Sequence, residues 1–327
     1  MGKLYKIIFF FIVFSCEEMN PSLPDVTINY PETNSIISGL VTINCTFNNI
    51  NSIANVELLI DGNSSGITED SEPFSLVWNT SNYEDKEYSI IVRSFDINGS
   101  YKDSERVIIN LYKTVELFGE YYSVENTTKL DLNNRMLIGH FPPKIFELVK
   151  LTLLDLSFNQ FNGEIPLELA SMSDLRILNL NANQFVGSIP PELGYMIKLN
   201  ELKLSMNQIS GAIPQSITNL ENLTNINLSI NQLSGLIPFD FDNLTNLNYL
   251  NLSNNKLTGS VPSELGNFQN LIELKLYRNS LSGALPETFC DLSETNCSIS
   301  LYNNQICPPY PSCIQEIMGE QETSNCN

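Results

Sequence analysis

Asp131 and Asp155 are the two residues whose spacing best suggests catalysis, since they occupy the same place in successive 24-residue repeats. Neighbouring strands would bring their carboxyl groups within the ~5–10 Å that a glycosidase requires. Hydrolysis also requires a pocket around the substrate, and an open sheet supplies none. The single histidine, His140, argues against a histidine-based triad and against a His-rich metal site. We therefore expect no enzymatic activity, no cofactor and no catalytic residue.

A second candidate is the segment Asp96-Ile97-Asn98-Gly99, which matches the start of a calcium-binding loop. That loop needs a carboxylate at its twelfth position, which is Val107 in this chain. The segment is therefore interpreted as a turn, and no metal site is expected.

The composition indicates a folded, acidic protein. The 327 residues are 42% hydrophobic and 17% charged, which gives enough apolar material for packed cores and too little charge for a disordered chain. At this length, two domains are expected. The formal net charge of -20 opposes binding to nucleic acid, because phosphate backbones attract an excess of lysine and arginine. Nucleic acid is therefore excluded as a partner, and a binding surface is favoured over catalysis.

The N-terminus carries an export pattern. Two lysines and then eight apolar residues, 7–14, precede Ser15-Cys16. The apolar run is too short to span a bilayer, so residues 1–15 are predicted to be a signal peptide. The sequence up to Cys16 resembles the lipobox of bacterial lipoproteins, which implies cleavage before Cys16 and a diacylglycerol on its thiol. The alternative is an ordinary secretory signal with an incidental cysteine.

The residues after Cys16 bear on where the protein would lie. Glu17-Glu18 resembles the surface-export signals of some bacterial lipoproteins. Residues 16–24 include two prolines and suit a short extended spacer. The resemblance implies a lipid-anchored protein of the bacterial cell envelope, on the outer surface, with the membrane as one partner.

Residues 25–113 show short runs of alternating apolar and polar residues that are separated by turn residues. This pattern predicts about six or seven β-strands in a sandwich. The order V-x-L-x-I-D-G, P-F-S-L-V-W-N-T and Y-S-I-I-V-R-S-F-D-x-N-G resembles the bacterial immunoglobulin-like domains of secreted proteins. We expect Trp78 to pack in the core and Cys45 to be a small buried thiol.

A 24-residue repeat fills the second half of the chain, with the unit L-x-x-L-x-L-x-x-N-x-x-x-G-x-I-P-x-x-L-x-x-L-x-x. Glycine recurs at positions 139, 163, 187, 211, 235, 259 and 283, and asparagine at 159, 183, 207, 231, 255 and 279. The unit resembles the plant-type leucine-rich repeat of receptor kinases and polygalacturonase inhibitors over residues 117–327. The fold class is therefore predicted to be mainly β: an immunoglobulin-like sandwich and then a leucine-rich-repeat solenoid with a parallel sheet on its concave face.

The repeated residues are interpreted as scaffold. Leu175, Leu178 and Leu180 would point into a shared interior, while the residues between them face outward from a short strand. Eight parallel strands about 4.8 Å apart would make a sheet of roughly 34 Å. The asparagine amides would satisfy backbone groups that cost about 1–3 kcal/mol each when they are buried unpaired.

Both ends of a solenoid need caps, because they would otherwise expose its apolar interior. We expect an N-terminal cap at residues 114–126, seven repeats at 127–294, and a final strand with a cysteine-containing cap at 295–327. The N-terminal cap lacks the cysteine pair that often occurs there, and Arg135 replaces the asparagine of the first unit.

Five cysteines cluster at the C-terminal end, which fits a disulfide-capped, exported protein. The predicted pairs are Cys290 with Cys307 and Cys313 with Cys326. Cys297 is then left without a partner in the chain.

The variable residues of the strands form columns across the predicted concave face. Several of them are apolar where the scaffold does not require it, and such exposed patches often mark interaction surfaces. The residues that we expect to contact a ligand are Leu153, Phe158, Ile177, Met206, Ile230, Tyr249 and Tyr277. The alternative is that neighbouring side chains cover them.

The leading functional hypothesis is a cell-surface lipoprotein that binds a protein or glycan ligand, in adhesion or recognition. An accessory carbohydrate-binding protein or an inhibitor of a secreted enzyme is the second hypothesis, and a structural component of the envelope is the third. A eukaryotic receptor fragment or wall-enzyme inhibitor is a fourth, against which Ser15-Cys16 argues.

Overall fold

The computed structural model describes residues 23–326, which form two compact units divided after Lys113. The predicted signal peptide, residues 1–15, and the predicted lipidation site Cys16 lie outside the described residues, as does most of the spacer, residues 16–24. Each unit has a hydrophobic core of its own. In the described part of the chain, no helix is long and apolar enough to cross a membrane.

The first unit is a β-sandwich, as the alternating pattern predicts. Its strands are β1 (Val26–Tyr30), β2 (Ile36–Ile37), β3 (Leu40–Phe47), β4 (Ile53–Ile60), β5 (Asn63–Glu69), β6 (Leu76–Asn79), β7 (Lys86–Asp96), β8 (Tyr101–Asp103) and β9 (Val107–Leu111). One sheet has the order β1-β3-β6, and the other has the order β2-β9-β7-β4-β5 with β8 against β7. Short 3-10 helices lie at Ile50–Ser52 and Thr80–Asn82.

Trp78 lies in the core of the sandwich, as expected, and it is fully buried. The rings of Tyr83 and Tyr88 meet it edge-on, with centroids 5.0 and 6.1 Å away. Cys45 is only half-buried, and burial raises the pKa of its thiol to about 12. An unreactive, protonated thiol is what this environment dictates.

Asp96 begins a tight turn between two strands. Its Oδ1 accepts hydrogen bonds from the backbone N–H groups of Asn98 and Ser100, at 2.8 and 2.9 Å. The carboxylate therefore replaces backbone partners inside the turn, as aspartate does in Asx turns. Among the described residues, no group of three or more His, Cys, Asp or Glu side chains is placed to hold a metal ion.

The second unit begins with an antiparallel hairpin and continues as a solenoid. The hairpin strands are β10 (Thr114–Leu117) and β11 (Glu120–Ser123). The eight parallel strands of the main sheet are β12 (Lys129–Asp131), β14 (Leu153–Asp155), β16 (Ile177–Asn179), β18 (Glu201–Lys203), β20 (Asn225–Asn227), β22 (Tyr249–Asn251), β24 (Glu273–Lys275) and β26 (Ser298–Ser300). Successive repeats pair in register, which confirms the predicted parallel sheet of the solenoid.

A second row of short strands follows the repeated asparagines. It comprises β13 (Ile138–His140), β15 (Gln160–Glu164), β17 (Gln184–Val186), β19 (Ser210–Gly211), β21 (Gln232–Gly235), β23 (Lys256–Gly259), β25 (Ser280–Ala284) and β27 (Gln305–Cys307). The remaining side of each repeat is a short helix. The 3-10 helices are Pro143–Glu147, Leu167–Ser171, Pro191–Tyr195, Gln215–Asn219, Asp240–Asn243, Ser263–Asn267 and Gln315–Ile317, and helix α1 is Thr288–Glu294.

The repeated leucines fill the interior of the solenoid. Leu175, Leu178 and Leu180 are fully buried, and the same holds for their counterparts in the central repeats. Because each leucine packs against those of adjacent repeats, the core is one continuous column.

The repeated asparagines bind backbone groups of two successive repeats. Asn183 donates from Nδ2 to the carbonyl oxygens of Leu156, Leu180 and Asn181 at 3.0–3.2 Å. Its Oδ1 accepts the N–H of Phe161 at 3.0 Å. Each asparagine thus satisfies groups that the turn would otherwise bury unpaired.

Arg135 stands in place of asparagine at the first repeat. Its own N–H is accepted by Asn159 Oδ1 at 3.1 Å, and Asn159 Nδ2 donates to the Leu132 carbonyl at 2.8 Å, so the next repeat binds the backbone on both sides of this position. The guanidinium reaches Glu120 Oε1 in the hairpin at 2.7 Å. The hairpin contacts the first repeat through this exposed ion pair, and its Val115 and Leu117 are buried in the solenoid core.

The C-terminal cap continues the asparagine pattern with a glutamine. Gln321 donates from Nε2 to the carbonyl oxygens of Leu301 and Met318, at 3.0 and 2.9 Å. Its Oε1 accepts the N–H of Ile306 at 3.3 Å. Gln321 therefore closes the solenoid by occupying the place of a further repeated asparagine.

The disulfide pairing predicted from the sequence is wrong. The structure joins Cys290 to Cys313 and Cys307 to Cys326, each with a Cα–Cα distance of 5.5 Å. Cys290 lies in α1 and Cys307 in β27. After β27 the chain returns to α1, where Cys313 meets Cys290, and Cys307 pairs with the later Cys326. Cys297 is free and half-buried, and burial raises the pKa of its thiol to about 11.

Candidate ligand-binding face

The outward-facing residues of the main sheet form columns, because every strand pairs with the next at the same repeat position. The first column is Lys129, Leu153, Ile177, Glu201, Asn225, Tyr249, Glu273 and Ser298, and the second is Asp131, Asp155, Asn179, Lys203, Asn227, Asn251, Lys275 and Ser300. We call the surface formed by these columns and the residues that follow each strand the concave face. Parallel strands in register place equivalent side chains about 4.8 Å apart along it.

Polar side chains of the second column form hydrogen bonds with one another and with the serines that follow the strands. Asp155 Oδ1 accepts the hydroxyl of Ser157 at 2.6 Å, and its Oδ2 accepts Asn179 Nδ2 at 2.7 Å. In a later repeat, Asn251 Oδ1 accepts the hydroxyl of Ser253 at 2.7 Å. Asp131 pairs in register with Asp155, as the repeat spacing predicts, and both carboxylate oxygens of Asp155 accept hydrogen bonds from neighbouring side chains.

Two ion pairs lie across the first and second columns. Glu201 Oε2 is 2.5 Å from Lys203 Nζ, and Glu273 Oε1 is 2.8 Å from Lys275 Nζ. The hydrogen bond that Lys275 donates to the Glu273 carboxylate raises the pKa of Lys275. Lys275 Nζ also lies 5.5 Å from the ring centroid of Tyr249, so the cation is held over an aromatic face.

The tyrosines form an aromatic platform at the C-terminal end of the face. The rings of Tyr277 and Tyr302 stack with centroids 4.5 Å apart and planes 9° apart. Tyr249 is half-buried, and its hydroxyl oxygen accepts Asn251 Nδ2 at 3.0 Å. Tyr302 is a residue that the ligand-contact prediction omitted, although its place in the last repeat matches that of Tyr277.

The residues directly before the repeated asparagines form a third column. Four successive members are apolar, and we call them the apolar stripe: Phe158, Ala182, Met206 and Ile230. Phe158 is 60% exposed, and Met206 and Ile230 are each 49% exposed, so neighbouring side chains do not cover them. Leu153 and Ile177, which pair in register near the same end, are half-buried.

The backbone of the apolar stripe is left-handed. The φ angles are 55° at Phe158, 50° at Ala182, 55° at Met206 and 54° at Ile230. Each stripe N–H donates across to the next repeat, as from Phe158 to the Asn181 carbonyl at 3.0 Å. Asparagine tolerates this conformation well, whereas the backbone of a β-branched residue such as Ile230 is strained in it. The repeat pattern shows where this column lies but does not indicate the sign of φ.

Asn225 is another residue of the face that sequence reasoning missed. Its Oδ1 is buried and has no hydrogen-bond partner in the structure. The atom lies in the first column, between Glu201 and Tyr249. An acceptor that is buried without a partner costs about 1–3 kcal/mol of stability.

Comparisons with known protein families define both units. Residues 24–92 match the bacterial Ig domain. Residues 197–257 match one leucine-rich-repeat model, and residues 150–172, 174–196 and 270–292 match another. The chain therefore carries an Ig-like domain followed by leucine-rich repeats. Among curated proteins, none matches the chain.

Solved structures similar to the chain include plant receptor ectodomains. The LRR ectodomain of the membrane receptor kinase GASSHO1/SCHENGEN3 from Arabidopsis thaliana, in complex with CASPARIAN STRIP INTEGRITY FACTOR 2, is 38% identical, with a TM-score of 0.53 over 57% of this chain. The Arabidopsis receptor kinase HAESA, in complex with the peptide hormone IDA and the co-receptor SERK1, is 36% identical, with a TM-score of 0.53 over 57% of this chain.

A further similar structure is the plant peptide hormone receptor RGFR1 in complex with RGF2, which is 34% identical, with a TM-score of 0.51 over 56% of this chain. The chain spans only 22% to 30% of the length of these three receptor structures. The similarity establishes a leucine-rich-repeat domain that resembles ligand-binding ectodomains.

Proposed function

We propose that this chain is a lipid-anchored recognition protein of the bacterial cell surface, and that its concave face binds a peptide or protein ligand. The observation that carries the proposal is the apolar stripe, whose three large side chains are 49–60% exposed. Burial of such anchors typically dominates the energy of a protein interface.

The backbone strain at the stripe supports a role in binding. The same column contains Asn134 and Asn254, with φ angles of 52° and 54°, so asparagine fits the fold at these places. A non-glycine residue in this region costs about 1–2 kcal/mol, and the cost is greatest for a β-branched side chain. An isoleucine at position 230 is therefore better explained by a role in binding than by a role in stability, since strained residues concentrate at functional sites.

The chemistry along the face favours a peptide that lies across the strands. The N-terminal repeats offer Leu153, Phe158 and Ile177 to apolar side chains. Toward the C-terminal end the face becomes polar, with the Glu273–Lys275 ion pair beside the half-buried Tyr249. The similar receptor structures were solved with peptide or protein ligands, which supports this ligand class here.

The deciding experiment replaces the three large stripe residues together, as Phe158→Ser, Met206→Ser and Ile230→Ser. An array of peptides, secreted proteins and glycans probed with the full chain identifies the strongest binder, which is then titrated against wild type and variant. We expect binding to weaken at least about tenfold, because truncation of an interface anchor costs about 2 kcal/mol or more. The circular dichroism spectrum should be unchanged.

The matched control changes three other exposed apolar residues, as Val149→Ser, Ile197→Ser and Ile272→Ser. These residues are 53–67% exposed and precede a main-sheet strand, whereas the stripe follows one. The control should bind like wild type. Equal affinity for both triple variants would mean that the stripe is ordinary surface, and a structural role in the envelope would then be favoured.

The lipid anchor is tested separately at Cys16, whose thiol would carry the diacylglycerol. Cys16→Ser should release the protein from the membrane fraction into the soluble fraction, and labelled palmitate should enter only the native protein. Cys297→Ser is the matched control, since that half-buried free thiol should not matter for anchoring. An unlabelled native protein that stays in the membrane fraction would contradict the proposal.

A glycan ligand is the second candidate, and the stacked pair Tyr277–Tyr302 is the observation that favours it. Aromatic faces of this kind suit the apolar face of a sugar ring. In the array, selection of glycans and not of peptides or proteins would support this alternative. An accessory role beside a secreted enzyme would then become the working hypothesis.

A further inference from the structure

Two shallow depressions lie outside the concave face, at the Ile-Pro steps of the repeats. One has a volume of about 410 Å³ and is lined in part by Leu236, Phe239, Pro262 and Glu264. The other has a volume of about 450 Å³ and is lined in part by Glu164, Leu167, Glu168 and Glu192. They occupy the same step of the repeat, so the solenoid places them in one row.

Three apolar side chains stand out in this row because most of their surface is exposed. Leu236 is 66% exposed, Phe239 is 61% exposed and Leu167 is 54% exposed. Leu236 lies flat over the backbone, since its Cδ2 would be 2.4 Å from a Cβ placed on Gly259.

The scaffold does not require these apolar residues. Other repeats carry serine or alanine at the place of Leu236, as in Ser188 and Ala212. They carry glutamine or serine at the place of Phe239, as in Gln215 and Ser263.

The two depressions are acidic, in contrast to the concave face. Neither depression is lined by a lysine or an arginine. Glu164, Glu168, Glu192 and Glu264 line them, and no ion pair in the described part of the chain involves these carboxylates. On the concave face, by comparison, the charges balance. Its cations are Lys129, Lys203, Lys275 and Arg278, and its anions are Asp131, Asp155, Glu201 and Glu273.

We propose that this row is a second docking surface, which takes a basic protein segment that presents apolar side chains to Leu167 and to the Leu236–Phe239 pair. Charge complementarity selects the partner, because uncompensated carboxylates on both depressions attract lysine and arginine and repel acidic chains. The exposed apolar side chains supply the anchor contacts. The surface is independent of the ligand proposed for the concave face.

The spacing sets the length of a suitable segment. Leu167 and Phe239 hold the same place three repeats apart, so about 14 Å or more separates them at about 4.8 Å per repeat. An extended chain advances about 3.3 Å per residue, so its two apolar side chains should be about four or five residues apart.

The probe is a fluorescent peptide of about twelve lysines and serines with two leucines spaced five residues apart, a length sufficient to span both depressions. It is titrated against the full chain by anisotropy at low and at high salt. We expect binding that weakens strongly as salt rises, because the carboxylates are exposed and screened. Peptides with glutamate in place of lysine, or serine in place of leucine, should bind at least about tenfold more weakly.

Two variants locate the binding. The double change Leu236→Ser with Phe239→Ser and the double change Glu168→Gln with Glu192→Gln should each weaken it at least about tenfold. The matched controls are Val149→Ser with Ile197→Ser, and Glu32→Gln with Glu72→Gln in the first unit, which alter exposed residues of the same types elsewhere.

The stripe triple variant separates the two surfaces. It should bind the probe like wild type if the row is the site, and loss of probe binding in that variant would assign the peptide to the concave face and overturn the proposal. Binding that is equal in all variants, or absent for the lysine–leucine peptide, would overturn it as well.

Discussion

At the residue scale, the left-handed backbone before each repeated asparagine distinguishes this face. Asparagine, alanine, arginine, methionine, phenylalanine and isoleucine all take the same φ of about 50–56° there. The repeat pattern predicted the column and its exposed apolar members. It could not predict their backbone conformation, because phenylalanine and isoleucine carry no local preference for positive φ. The neighbouring repeats impose that conformation through the hydrogen bonds between them.

A single substitution separates stability from binding at this column. Ile230→Asn should raise the free energy of unfolding by about 1 kcal/mol, because asparagine relieves the left-handed strain. The same change removes an apolar anchor and should weaken ligand binding. Urea unfolding and titration of the ligand measure the two effects.

Ile272→Asn is the comparison, since Ile272 is exposed but does not have a positive φ. It should give no gain in stability. A less stable Ile230→Asn protein would show that the strain is absent or that the isoleucine packs against the fold.

At the element scale, the repeated asparagine is expected to contribute more to the stability of each repeat than the exposed residues near it. Asn207 donates to the carbonyl oxygens of Leu180, Leu204 and Ser205 at 3.0–3.2 Å and accepts the Phe185 N–H at 3.1 Å. The spacing of the asparagines predicted this role, since one residue type recurred where each strand turns. The disulfides were not predictable in the same way, because five clustered cysteines can form two pairs in fifteen ways and sequence spacing does not choose among them.

Asn207→Ala should lower the free energy of unfolding by about 2–4 kcal/mol, since it leaves several buried backbone groups unpaired. Chemical denaturation measures the loss. The matched control is Asn222→Ala in the same part of the solenoid, where the side chain is exposed and donates only to the Ile197 carbonyl at 2.8 Å. That variant should lose less than about 1 kcal/mol. Equal losses would mean that the buried position gives the asparagine no special weight.

At the scale of the whole molecule, the chain is two units with separate cores, and a change in one core should leave the other folded. Leu228 is fully buried in the solenoid, so Leu228→Asp buries an unpaired carboxylate and should destabilise that unit by several kcal/mol, on the order of 4. The single tryptophan, Trp78, is buried in the sandwich, so its fluorescence reports that unit alone.

In thermal unfolding of Leu228→Asp, most of the circular dichroism should therefore be lost below the temperature at which Trp78 fluorescence changes. Thr245→Asp, at an exposed place in the solenoid, should leave both transitions unmoved. A single transition seen by both probes in Leu228→Asp would contradict two independent units. The two-domain organisation was predictable from the change in sequence period. The acidic depressions outside the concave face were not predictable, because they are formed by residues of successive repeats that only the folded chain brings together.

Gln321 has a consequence for how long this molecule can be. Each repeated asparagine bonds only to its own repeat and the one before it, and Gln321 makes the same bonds to the last repeat. These contacts do not depend on how many repeats the solenoid has. A 24-residue unit could therefore be added or removed between the two caps. Loss or duplication of one unit would shorten or lengthen the concave face by about 4.8 Å, while both caps would keep their contacts. Whole repeats can thus change the span of the proposed binding surface without changing a contact at either end.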